Sequence, residues 1–209
     1  MSGKPVDGRS LRYRHRRDEL LNLVTGYVLE HGIGGLSMRP LATAVGVSHG
    51  TLLHHFGSKE KLITDVVAGL RNRLADEAGM ADTSVAAPGV GGLTAWWAKS
   101  TMPRHLPVYR VLFEVYTQAV REPERYERYL REAVAGAHAV IEELVVAEGC
   151  PAEEAKEVAS MVVAQARGLQ LELLATGDHE RVDRAFALFV DMVTGVVRAR
   201  RREQGANSI

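Results

Sequence analysis

The sequence predicts an all-α protein with about nine helices. Apolar residues recur at spacings of three and four through most of the 209 residues, and no apolar/polar alternation longer than about four residues indicates a strand. With 46% hydrophobic and 25% charged residues, the composition is that of a globular chain. The length allows one large domain or two small ones.

The amino-terminal part predicts one longer helix and then a short one. The longer helix runs from about residue 9 to residue 31, with apolar residues along one stripe. Ser37 is predicted to cap the short helix, because the flanking Leu36 and Leu41 are both apolar, as in a hydrophobic staple. Gly46 is predicted to end it.

The remaining helix starts and ends have similar signals. Ser48 caps a third helix that closes at Phe56 and Gly57, and Ser58 begins a fourth that reaches about Glu77. Glycine, proline and small residues predict a loop over residues 78–92. Five further helices are predicted over residues 93–101, 106–120, 124–148, 152–176 and 180 to about 202.

The second and third helices form a helix-turn-helix pattern, in which the second helix of the pair enters the DNA major groove. Leu52 and Phe56 share the face that packs, whereas Gly50, Thr51, His54 and His55 interleave on the other face. Thr51 offers a hydroxyl and a methyl group to base edges, and the histidines can donate to phosphates or bases. The same caps would also serve an ordinary small helical subdomain.

Backbone N–H groups at helix starts and a basic arm extend this predicted surface toward phosphates. Free N–H groups at the starts of the second, third and fourth helices suit phosphate oxygens, and arginines cluster at the beginning of the first helix. The candidate DNA contacts are Arg17, Ser37, Met38, Arg39, Ser48, His49, Gly50, Thr51, His54, His55 and Lys59.

The formal net charge of zero hides a segregation of charge along the chain. Residues 1–61 contain nine Lys or Arg against five Asp or Glu, a net of +4, and five of the eight histidines. Residues 62–197 contain 13 against 20, a net of −7, and the tail from Arg198 adds +3. A basic module beside an acidic one is consistent with nucleic-acid binding.

The stretch over residues 32–62 closely resembles the DNA-binding module of the tetracycline-repressor (TetR) family of bacterial transcriptional regulators. Leu53 stands where the family usually has a tyrosine that contacts a phosphate. The motif residues that match are Ala42, Gly46-Val47-Ser48, Gly50-Thr51-Leu52, His55-Phe56 and Ser58-Lys59-Glu60. The resemblance implies a DNA-binding domain over residues 1–61, a connecting helix over 62–77, and an effector-binding and dimerisation domain over 78–209. It also implies a near-palindromic operator bound by a dimer.

Aromatic residues concentrate where a ligand cavity would lie in the larger domain. Seven of the twelve aromatic residues fall within residues 93–129. An apolar cavity with a few polar groups is the usual small-molecule site, although each residue could equally be plain core. Gln165 and Glu172 could supply specificity, or face solvent or a partner subunit. The candidate ligand contacts are Trp96, Trp97, Met102, Tyr109, Phe113, Tyr116, Gln165, Leu169 and Glu172.

The last two predicted helices are apolar on broad faces. Their apolar area is larger than a single subunit is expected to bury. The family resemblance assigns them to a homodimer interface, where Gly168 and Gly195 would allow close approach. The apolar residues behind this expectation are Val158, Met161, Val162, Leu169, Leu173, Phe186, Phe189, Val190, Val193 and Val197.

The sequence gives no support for an enzyme. Cys150 is the single cysteine, so a disulfide within one chain and a multi-cysteine zinc site are excluded. Nucleophile motifs, metal-ligand spacings and cofactor loops are absent, and we expect no cofactor. No apolar run approaches the ~18 residues of a membrane span, so we expect a cytoplasmic protein. The leading hypothesis is a ligand-responsive transcriptional repressor; the alternative is a helical ligand-binding protein without DNA activity.

Overall fold

The computed structural model describes residues 8–78 and 91–207. Over these residues the chain forms nine helices and no strand, which confirms the predicted all-α class. Most of the predicted loop at 78–92 lies outside the described residues. The helices are α1 (Gly8–His31), α2 (Met38–Ala44), α3 (His49–Phe56), α4 (Lys59–Ala78), α5 (Gly91–Ser100), α6 (Leu106–Arg121), α7 (Glu127–Ala147), α8 (Ala155–Thr176) and α9 (His179–Asn207).

The chain divides into two compact units. The first unit contains the residues up to Arg71 together with Val111–Tyr126, and the second contains Asn72–Arg110 and the residues from Glu127 onward. Helices α4 and α6 therefore each contribute to both units. The domain boundaries predicted at residues 61 and 77 separate functions and not compact units, and they stay a prediction.

The first unit buries apolar residues of its four amino-terminal helices. Helices α2 and α3 have seven and eight residues, too short to be stable alone, so burial of Leu41, Leu52 and Phe56 must hold them. Gly46, with φ +73°, lets the chain reverse between the two helices. The Val47 N–H then donates to the carbonyl of Ala42 at 2.9 Å.

The second half of α6 is fixed to the turn between α1 and α2. The backbone N–H of Ile33 donates to Oε2 of Glu114 at 2.7 Å. Gly32 has φ +72°, and a Cβ added there would lie 2.8 Å from the same carboxylate. The turn therefore needs glycine for both its backbone conformation and its close contact with α6.

The second unit has its own apolar core, which α5, α7, α8 and α9 supply. Leu173 and Phe186 are almost completely buried in it, and Trp97 stacks on Phe186 with ring centroids 4.2 Å apart. Among the helices of the described residues, none is both long and apolar enough to cross a membrane.

Candidate functional site

Helix α3 begins with a well-formed cap. Ser48 has extended backbone angles, and its Oγ accepts a hydrogen bond from the Thr51 N–H at 3.0 Å. The hydroxyl oxygens of Ser48 and Thr51 also lie 2.9 Å apart, within hydrogen-bond distance. This pair fixes both the start of α3 and the orientation of the Thr51 side chain.

The two faces of α3 differ sharply in burial. Leu52 is completely buried and Phe56 nearly so, while Gly50 and His54 are exposed and Thr51 is partly exposed. Leu53 is 39% exposed. The outward face is thus polar apart from one leucine, and it has small residues at its amino-terminal end. Small residues allow the helix backbone to approach base edges closely.

Ser37 occupies the N-cap position of α2, but the prediction that its side chain caps the helix is wrong. Its backbone is extended, yet its side chain makes no capping hydrogen bond. An N-cap oxygen accepts from the N–H of the second or third helical residue, and the third residue here is Pro40, which has no N–H. The Ser37 side chain is exposed and its hydroxyl is left for other partners.

Arg17 is paired within the first unit and does not belong to a free basic arm, and its role as a DNA contact stays a prediction. Its Nη2 lies 2.6 Å from Oδ2 of Asp65 on α4, with both side chains largely shielded from solvent. Its guanidinium also sits 5.1 Å from the centre of the Phe56 ring. Arg17 therefore joins α1, α3 and α4, and its charge is neutralised within the first unit.

His55 is only partly exposed and packs against α1, and its role as a DNA contact stays a prediction. Its ring packs 4.7 Å from that of Tyr13, and within the described part of the chain its buried Nδ1 has no hydrogen-bond partner. Burial lowers the pKa of His55, and the positive neighbours His54, Arg16 and Arg17 lower it further. The contact with Tyr13 therefore fixes the His55 ring against α1.

Tyr13 is a residue of this surface that sequence reasoning missed. Its hydroxyl lies 3.4 Å from the carbonyl oxygen of His54, and its ring meets the His54 ring edge-on at 5.6 Å. The two residues are 41 positions apart, so no local pattern could have linked them. Tyr13 ties α1 to the carboxyl-terminal end of α3.

The other candidate DNA contacts lie at helix starts. Arg39 is exposed, whereas Met38 and His49 are partly exposed. Lys59, the first residue of α4, lines a polar cavity of about 500 Å³ with Arg121 and Arg125. These positions leave Arg39 as an exposed cation at the amino-terminal end of α2.

The predicted ligand contacts do not form a single cluster. Trp97, Tyr109 and Leu169 are buried in the second unit, with Trp96 and Met102 partly exposed. Phe113 and Tyr116 belong to the first unit. Only Trp97 and Met102 among the predicted residues line the cavity of about 510 Å³ in the second unit.

The two polar residues predicted on α8 lie at its surface, which is one of the alternatives that the sequence left open. Gln165 is exposed, and the Glu172 carboxylate pairs with Arg181 at 2.7 Å on the surface. Gln170 is the buried polar residue of α8 instead, at 5% exposure. Since α8 has apolar residues on several faces, spacing alone could not distinguish these three positions.

Gln170 belongs to a buried polar group that the sequence did not reveal. Burial raises the pKa of Tyr109, and the polar side chains of Ser100 and Gln170 beside its hydroxyl oppose that rise. In the described part of the chain the buried Nε2 of Gln170 has no partner. An unpaired buried amide is costly, so this group is a candidate for contacting a bound molecule.

The apolar residues predicted to form a dimer interface are mostly core residues of the chain itself. Val162, Leu173, Phe186 and most of the others pack inside the second unit, which corrects that part of the prediction. The large apolar residues that remain exposed on α8 and α9 are Met161, Leu171, Leu188, Met192 and Val196. Gly168 and Gly195 are exposed too, and a Cβ added to either would meet nothing within 4 Å.

Two short helices joined through a left-handed glycine, with a capped second helix, define a helix-turn-helix protein. The family described as "Bacterial regulatory proteins, tetR family" matches residues 28–66 of the chain. The HTH-type transcriptional repressor KstR2 of Rhodococcus jostii (strain RHA1) is 34% identical over 74 residues, 35% of this chain and 36% of that repressor. The chain thus spans about a third of the length of this curated relative.

Other similarities extend over most of the chain. The HTH-type transcriptional regulator BetI of Rhizobium meliloti (strain 1021) is 26% identical over 190 residues, 88% of this chain and 90% of BetI. A transcriptional regulator from Rhodococcus sp. Rha1 has a similar structure, with a TM-score of 0.70, 19% identity and coverage of 87% of this chain and 95% of that one. BioQ, solved with its double-stranded DNA operator, gives a TM-score of 0.61 at 14% identity, covering 88% and 98%. Residues 28–66 therefore carry the DNA-binding module of the tetR family, and over the rest of the chain the solved structures show the same fold.

Proposed function

We propose that this protein is a DNA-binding transcriptional repressor that acts as a homodimer and responds to a small, mainly apolar or aromatic effector. The observation that supports DNA binding best is α3, whose start is fixed by Ser48 and whose exposed face presents Gly50, Thr51 and His54. The relatives KstR2 and BetI are a transcriptional repressor and a regulator, and BioQ binds a DNA operator.

The dimer is proposed from the exposed apolar residues of the last two helices. On α9, Leu188, Met192 and Val196 recur every four residues and therefore form one stripe. On α8, Met161 and Leu171 flank the exposed Gly168, where no side chain blocks a second helix. An exposed stripe of this kind suits a self-complementary helix interface across a two-fold axis.

The effector is proposed to bind in the second unit. Its aromatic residues and the buried polar group around Gln170 offer apolar contact with a small number of directional hydrogen bonds. The effector would shift the population of dimers toward a state whose two α3 helices no longer match the operator. The size of that shift is limited by the difference in effector affinity between the two states.

Selection of binding sites from a pool of random duplexes tests the proposal. We expect a near-palindromic site whose half-sites lie about one helical turn, ~34 Å, apart. Thr51→Ala should weaken discrimination at one base position of each half-site by about 1 to 3 kcal/mol. Thr43→Ala is the matched control, because Thr43 is exposed on α2 and its hydroxyl bonds only the Arg39 carbonyl in its own helix.

Two outcomes would contradict the proposal. If no duplex is enriched over the pool, the chain is better described as a helical ligand-binding protein without DNA activity. If the Thr51 and Thr43 variants select the same site with the same base preferences as the parent protein, α3 is not the element that contacts bases.

A further inference from the structure

A cleft between α5 and α9 in the second unit combines aromatic walls with one carboxylate. Its volume is about 510 Å³, in the range of sites for small organic molecules. Met102 is partly exposed in its lining, with the packed rings of Trp97 and Phe186 behind, and Asp183 and His179 are the titratable residues of that lining.

The Asp183 carboxylate is held in place by the aromatic wall. Its Oδ1 accepts a hydrogen bond from the Trp97 indole N–H at 2.7 Å. Trp97 is itself 4% exposed and stacked on Phe186, so it is a rigid donor. This bond orients the carboxylate while its second oxygen keeps its lone pairs for another partner.

The negative charge of Asp183 is not neutralised by the neighbouring arginines of α9. Arg181 pairs with Glu172 at 2.7 Å and with Asp178 at 3.2 Å, and Arg184 pairs with Glu180. Within the described residues, Asp183 forms no ion pair with a lysine or arginine. An oriented, uncompensated carboxylate beside aromatic rings favours a positively charged ligand.

We propose that this cleft binds a small organic cation, with its ammonium group beside Asp183 and its apolar body against Trp97, Met102 and Phe186. A neutral molecule of the same shape would gain the apolar contacts but not the ion pair, and an anion would be repelled. The role of this cation as the effector rests on the proposed function, whereas the charge selectivity of the cleft does not.

Three probes with one apolar body and different charges test the selectivity: phenylbutylamine, phenylbutanol and phenylbutyrate. Of the two tryptophans in the chain, Trp97 lines the cleft, so a change in intrinsic fluorescence reports binding there. Titrations at about pH 8 keep the amine probe protonated and the carboxylate probe ionised, since amines and carboxylic acids of this kind have pKa values near about 10 and about 4. We expect the amine to bind more tightly than the alcohol, and the carboxylate probe to bind most weakly.

Substitutions of Asp183 separate its charge from its structural bond. Asp183→Asn keeps an oxygen that can accept from the Trp97 indole, so the cleft wall should persist while amine binding weakens roughly five- to tenfold to the level of the alcohol. Asp183→Glu keeps the charge and should keep the preference for the amine. Asp191→Asn, an exposed change on the same helix outside the cleft, should leave all three affinities unchanged.

Several results would overturn the cation site. These are equal affinities for the three probes, no fluorescence response to any of them, or an Asp183→Asn variant that binds the amine as tightly as the parent protein. The effect of the amine on operator affinity is then measured separately. If the amine binds selectively but operator affinity does not change, the cation selectivity of the cleft is supported and its role as the effector site is rejected.

Discussion

The two short helices of the helix-turn-helix in the first unit differ sharply in length from the helices that form most of the core of the second unit. In the first unit, α2 and α3 have seven and eight residues and depend on a capped start, a glycine turn and a few buried side chains. In the second unit, α7, α8 and α9 have 21, 22 and 29 residues and share a continuous apolar core.

This difference matches the work proposed for each unit. A helix that reads base edges must place short side chains accurately, and local signals such as the Ser48–Thr51 bond can set that placement. Long helices packed through broad apolar faces can instead leave clefts between them and present an outer stripe to a second copy. The first unit should therefore be sensitive to single local changes, and the second more tolerant of them.

The largest expected effect comes from the core of the short helices. Leu52→Ala should lower the free energy of unfolding by about 2 to 5 kcal/mol, because Leu52 is completely buried between α3 and its neighbours. Leu53→Ala, at the next position, should change it by less than about 0.5 kcal/mol, since that side chain is 39% exposed. Denaturant unfolding followed by circular dichroism measures both, and similar losses for the two variants would contradict the account.

A smaller effect is expected from the two N-cap serines. Ser48→Ala removes the acceptor of the Thr51 N–H and should cost about 0.5 to 2 kcal/mol of stability. Ser37→Ala should cost almost nothing, because the Ser37 side chain makes no capping bond. Equal losses of stability for the two variants in the same unfolding assay would show that the Ser48 capping bond does not stabilise α3.

The effect of His55 depends on pH. Its pKa in the folded protein lies below the ordinary value of 6.5, so the unfolded chain binds the proton more tightly. The stability that neutral His55 contributes is therefore complete above about pH 6.5 and is lost as the pH falls below it. Compared with the parent protein, His55→Gln should gain relative stability between pH 6.5 and 5, as measured by chemical unfolding at each pH. A difference that stays constant over that range would refute the buried, neutral imidazole.

The helices were predictable because their signals are local. Ser48, Gly46 and the pair Leu52 and Phe56 lie within eleven positions of one another and together specify α3 and the turn before it. Even here a local rule failed at Ser37, because Pro40 removes the N–H that a serine cap usually bonds.

The contacts that the sequence did not reveal join distant parts of the chain. Arg17 meets Asp65 across 48 positions, and Trp97 meets Asp183 across 86. No spacing rule connects such residues. The sequence therefore cannot distinguish an arginine of a free basic arm from one that is paired with a distant carboxylate. For the same reason, the periodicity of α8 showed a helix but not which of Gln165, Gln170 and Glu172 faces inward.

The salt dependence of binding to the selected operator tests most directly whether the basic first unit binds duplex DNA. We expect affinity to fall steeply as salt rises, by roughly a thousandfold between 50 and 200 mM if the dimer neutralises about six phosphates. Arg39→Ala should flatten the slope by about one for each subunit, because Arg39 is an exposed cation at the start of α2. An affinity that does not change with salt, or that is absent for every duplex, would contradict the account.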